Sequence, residues 1–72
     1  MSKMVDLEML KTVMLRKTVS VKELEEKTGI QYSRLESLLD GEREMQASDI
    51  YKIAQALNLT EKEKSDIFFP TC

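Results

Sequence analysis

The sequence contains no histidine, no tryptophan, one proline and one cysteine, Cys72, which is its last residue. Each scarcity removes a class of chemistry. Without histidine the chain lacks the side chain most often used for proton transfer and metal binding near neutral pH. There is also no glycine-rich phosphate loop, no carboxylate cluster beside apolar residues and no second thiol. No nucleophile-base pair or metal set can be assembled from what remains, so no catalytic residue, metal site or cofactor is expected and the chain is read as a non-enzyme. A lone cysteine forms no internal disulfide, so the fold must rest on packing, and a reducing cytoplasmic setting is expected. No apolar run approaches the ~20 residues that cross a bilayer, so no membrane partner is expected.

What is present suits one small domain. With 72 residues, 42% of them hydrophobic, a core forms only if nearly every element contributes, and a single domain over 1–72 is expected. Lys and Arg number 11 against 13 for Asp and Glu, and the charge is unevenly spread. Residues 1–18 hold Lys3, Lys11, Arg16 and Lys17 against Asp6 and Glu8. Residues 19–46 hold Lys22, Lys27, Arg34 and Arg43 against Glu23, Glu25, Glu26, Glu36, Asp40, Glu42 and Glu44, which makes this stretch acidic.

Apolar and polar residues never alternate for long, so no strand is expected and the periodicity is that of short helices. The first is expected over about 4–16, with Leu7, Leu10, Val13 and Met14 on its core face. Ser20 to Glu23 has the form of a capping box, with Val19 and Leu24 as a hydrophobic staple, and starts a helix over 21–28 that Gly29 closes. A third helix is expected over 32–39, ended by Asp40-Gly41. At 100° per residue it puts Leu35, Leu38 and Leu39 on one side and Ser33, Ser37 and Asp40 on the other. The fourth is expected over 47–57, with Asn58 as its left-handed cap. Thr60 to Glu63 forms a second capping box for a last helix over 61–69 that Pro70 stops. Ile67, Phe68 and Phe69 on that helix either pair with a second copy or pack back on the first helix.

Two short helices joined through a glycine turn, the second with a polar outward face, have the form of a helix-turn-helix. The run from Val19 to Ile30, then Leu35, Leu38, Gly41 and Arg43, and Ile53 to Leu59, resembles the Cro/repressor helix-turn-helix family of phage and bacterial transcription regulators. The resemblance covers about residues 10–60. It implies an all-α, compact five-helix domain of the lambda-repressor-like DNA-binding type, with the helix over 32–39 as the recognition helix in the major groove. It places the base-reading candidates at Tyr32, Ser33 and Ser37, with Gln31 and Arg34 beside them. Arg34 is the only one of these able to grip a guanine with two hydrogen bonds, and it can equally hold a phosphate. Arg43, the amides near Gln46 and Ala47, and Lys17, Lys22 and Lys52 are the phosphate candidates.

Three departures from the family pattern carry expectations of their own. Val21 stands where many members have a glutamine that bonds a phosphate, so that contact is expected to be missing. Glu25 replaces the usual alanine at the helix crossing and is expected to reach outward along the surface. Met14 and Leu39 replace an Arg and Glu that often pair, and are expected to touch each other.

The resemblance therefore implies a sequence-specific transcriptional regulator of phage or prophage origin, acting as a homodimer on a palindromic double-stranded DNA operator. The acidic stretch also suits a second role, in which a small helix-turn-helix modulator or antirepressor covers the basic surface of a partner repressor protein.

Overall fold

Short-range signals set most of the helix boundaries. In the computed structural model, which describes residues 5–69, the order is α1 (Leu7–Arg16), α2 (Val21–Thr28), α3 (Tyr32–Leu39), α4 (Ala47–Leu57) and α5 (Glu61–Phe68). There is no strand among the described residues. Both expected capping boxes form. Ser20 Oγ accepts from the Glu23 N–H at 3.1 Å while Glu23 Oε1 accepts from the Ser20 N–H at 3.3 Å. Thr60 and Glu63 do the same at 3.1 and 3.0 Å. Gly29 and Asn58 close α2 and α4 in the left-handed conformation, at φ 79° and 54°.

Two boundaries differ from expectation. Helix α1 begins at Leu7 rather than near Met4, which lies outside the described residues, because the Asp6 carboxylate accepts from the Met9 N–H at 3.1 Å and caps the helix there. Helix α5 ends at Phe68 rather than Phe69, whose φ of −136° is no longer helical. Pro70, the expected stop, and Cys72 lie outside the described residues. The α1–α2 turn adds a feature with no sequence signal: Thr18, a β-branched residue, takes φ 55°.

The helices enclose one apolar cluster that draws on all five, including Leu10, Val13, Met14, Leu24, Leu35, Leu39, Ile53, Leu57, Ile67 and Phe68. Helix α2 packs on α3 and α4, and α1 on α5. The Asp6 N–H also donates to the Ile67 carbonyl at 2.6 Å, tying the two ends of the chain together. Of the three C-terminal apolar residues, Ile67 and Phe68 are in the core and only Phe69 faces out. Met14 and Leu39, expected to touch, both join the core cluster and border one cleft.

Burial of Leu35, Leu38 and Leu39 decides how α3 is presented. With all three inside, the opposite face of the helix, bearing Ser33, is turned to solvent.

Candidate nucleic-acid interface

Helix α3 is anchored at its start by another helix. Gln31, its N-cap, makes no capping hydrogen bond with its own side chain. The Glu25 carboxylate on α2 fills that role, with Oε2 accepting from the Tyr32 N–H at 3.3 Å. The half-buried Glu25 thus reaches outward as expected, and finds a partner there. It fixes α3 against α2 and puts a negative charge at the end of the helix that carries the partial positive charge.

Five of the residues named from the sequence come together on this face. Gln31, Ser33, Arg34 and Ser37 from α3 and its cap, with Arg43 from the following loop, line a polar depression of about 380 Å³. Gln31, Ser33 and Arg43 are exposed, while Arg34 and Ser37 are half-buried. Tyr32 is 42% exposed beside the depression and does not line it. The surrounding charge is acidic: Glu36, Asp40, Glu42 and Glu44 are all exposed.

Arg34 is held in place. Its Nη2 donates to Asp49 Oδ2 at 2.9 Å, and the same oxygen accepts from the Gln46 N–H at 3.0 Å. Asp49 is buried and stands third in α4, where a carboxylate reaches back to the N-cap amide. The Gln46 amide named as a phosphate donor is therefore already in use. Ala47 is exposed at the first turn of α4, on a groove separate from the polar depression.

The lysines are dispersed. Lys17 faces α5, with Nζ 3.6 Å from Glu63 Oε1, and Arg16 lies 3.8 Å from the other oxygen of that carboxylate. The Thr60 N–H above all, with Lys17 and Arg16, holds the Glu63 carboxyl below the usual carboxylate range against the opposing effect of desolvation. Lys22 and Lys52 are exposed and enter no ion pair among the described residues. Val21 is half-buried beside Met14, Leu15 and Val19, a position from which no hydrogen bond to phosphate is available to its side chain.

Sequence reasoning did not single out Asp49 or foresee the cap that Glu25 supplies. The Gln46-to-Asp49 spacing could have indicated the first half of the Asp49 arrangement. The Arg34 partnership has no local signal, since it joins residues 15 apart across two helices.

A glycine-closed α2, an α3 fixed at a constant angle to it, and a polar outer face on α3 complete a helix-turn-helix. The family model for the Cro/C1-type HTH DNA-binding domain matches residues 9–63. The chain belongs to the Cro/C1-type helix-turn-helix family. As a member, it carries a DNA-binding domain of a transcription regulator, all-α, with DNA as its partner. No curated protein and no solved structure matches it closely enough to refine that statement. No described helix is long and apolar enough to cross a membrane. In helix-turn-helix proteins generally the second helix of the pair enters the major groove while the first crosses the backbone.

Proposed function

We propose that this protein is a sequence-specific transcriptional regulator of phage or prophage origin that acts in the cytoplasm as a homodimer on a palindromic operator. The observation that carries this reading is the depression on α3, where Gln31, Ser33, Arg34, Ser37 and Arg43 meet. Serine and glutamine can hydrogen-bond base edges, and arginine can grip guanine. Tyr32 borders this reading surface. Arg43 supplies a phosphate contact at its rim, the first amides of α4 from Ala47 a second, and Lys22 and Lys52 add exposed positive charge. Lys17 is the weakest phosphate candidate because Glu63 already faces it.

One domain makes few base contacts, and two-fold symmetry on half-sites about one helical turn apart is the usual remedy. The surface for pairing is the groove between α4 and α5, where Tyr51 and Phe69 are 65% and 67% exposed beside Ile50 and Leu59. Sedimentation of the free protein and of the DNA complex gives the stoichiometry.

The test is fluorescence anisotropy on duplexes from upstream of the protein's own gene, at several salt concentrations, against random competitor DNA. Saturable, competitor-resistant binding with a negative salt slope is expected, and the slope counts the phosphates contacted. Absence of binding at low salt refutes the reading.

A second reading rests on a different observation. Leu15 is 79% exposed on a cleft lined by Met14, Val19 and Val21, with Glu36 and Asp40 on its rim. An apolar cleft with an acidic edge suits a basic protein partner, such as a repressor that this chain would modulate.

A further inference from the structure

Asp49 is the buried charged residue of the domain, 5% exposed, and it lies behind the reading face rather than on it. One of its oxygens joins a backbone amide at the start of α4 to a side chain on α3. Because the Gln46 N–H is fixed by the helix it caps, the carboxylate is fixed too, and it fixes Arg34 in turn. A guanidinium is planar, so the bond to Nη2, on a half-buried side chain, restricts the orientation of the whole group. Asp49 takes one N–H of Nη2, and the other is left to form a parallel donor pair with Nη1 or Nε on a side chain that lines the depression with Gln31, Ser33 and Ser37.

We propose that Asp49 is a positioning residue that holds Arg34 as the side chain reading a guanine in each half-site. The inference rests on the preceding reading, in which α3 meets DNA, and adds to it the specificity-determining pair. A phosphate needs only a nearby positive charge, and Asp49 largely cancels the charge of Arg34. What the pair retains is geometry: two N–H groups in a fixed orientation, matched to the O6 and N7 acceptors of guanine. Pre-ordering also removes part of the rotamer entropy that a free arginine loses on binding.

The test begins with selection of preferred duplexes from a random library by the wild-type protein. Wild type, Asp49→Asn and Arg34→Lys are then titrated by anisotropy on the selected duplex, on the same duplex with 7-deazaguanine at the selected guanine, and on random duplex. Wild type is expected to lose about 10- to 100-fold when the N7 acceptor is removed. Both variants are expected to lose most of that discrimination. Asp49→Asn is also expected to bind random duplex more tightly with a steeper salt slope, because it uncovers the charge of Arg34. A merely structural Asp49 would lower the melting temperature without exchanging specificity for non-specific affinity. Since Asp49→Asn can loosen the start of α4, thermal melts accompany it, and Arg34→Lys, which keeps a cation beside Asp49, carries the test if that variant does not fold. A selected site without guanine, or a guanine preference that either folded variant keeps, overturns the inference alone. A wild type that binds no duplex overturns the reading beneath it.

Discussion

Arg34 on α3 and Asp49 on α4 are 15 residues apart in the chain and 2.9 Å apart in space. The side chain proposed to read guanine is therefore also a structural tie, and under that proposal binding and stability are coupled at that position. Arg43, exposed in the next loop and without an ion pair among the described residues, has no such second role.

Truncating these two arginines should separate the roles. Arg43→Ala is expected to weaken DNA binding at every sequence alike and to lower the salt slope by about 1, with stability changed by less than ~0.5 kcal/mol. Arg34→Ala should also cost about 1–3 kcal/mol of stability, because it leaves the buried Asp49 with one partner fewer. Denaturant unfolding alongside anisotropy measures both. Equal stability losses in the two variants would show that the Arg34–Asp49 bond contributes nothing in solution.

Glu25 caps α3, and under the proposed reading its charge opposes the phosphates that α3 would approach. In Glu25→Gln the amide oxygen can still accept from the Tyr32 N–H, but the charge at the helix N-terminus is gone. Stability is expected to fall by about 0.3–1 kcal/mol, and DNA affinity at low salt to rise several-fold. A folded variant with unchanged affinity would place Glu25 away from the phosphates.

Glu63 links stability to pH. Its carboxyl titrates below the ordinary glutamate range, chiefly through the Thr60 N–H, with Lys17 and Arg16 beside it, despite desolvation. A depressed folded-state value means that the stabilisation is present above the unfolded-state value and is lost as pH falls through the folded one. Wild type is therefore expected to lose stability on acidification below pH ~4.5, and Glu63→Gln to lose less over the same range. Parallel urea titrations at pH 7 and pH 3 would reveal it; identical losses in both proteins would remove Glu63 as a source.

Gly29 isolates a backbone effect. A Cβ there would meet nothing within 4 Å, so the cost of Gly29→Ala comes from holding alanine at φ 79° alone. About 1–2 kcal/mol is expected, with no change in DNA preference. Thr18 at φ 55° is the converse case, and Thr18→Gly should raise stability by about 0.5–1 kcal/mol. Thermal melts of the two variants are expected to move in opposite directions.

Most of the architecture was legible in the linear chain. Ser20 with Glu23, Thr60 with Glu63, Gly29 and Asn58 act over three to five residues, so their effect can be read without knowing what packs against what. The spacing of Leu35, Leu38 and Leu39 likewise decided which side of α3 faces in, and with it the outward position of Ser33. Resemblance to the helix-turn-helix pattern then pointed to α3 as the helix proposed here to read DNA.

Other features depended on how helices cross. Glu25 finds the Tyr32 amide only because α2 packs on α3, and Arg34 finds Asp49 only because α2 packs on both α3 and α4 and so brings the first turn of α4 near α3. Ile67 and Phe68 turn inward while Phe69 stays out, a division that depends on where α5 docks on α1. Local hydrogen bonds and apolar spacing are properties of a few consecutive residues, so the sequence alone determined the helices and their inner faces. Which charges are tied up and which are left for a ligand is a property of pairs distant in the chain, and only tertiary packing decided it.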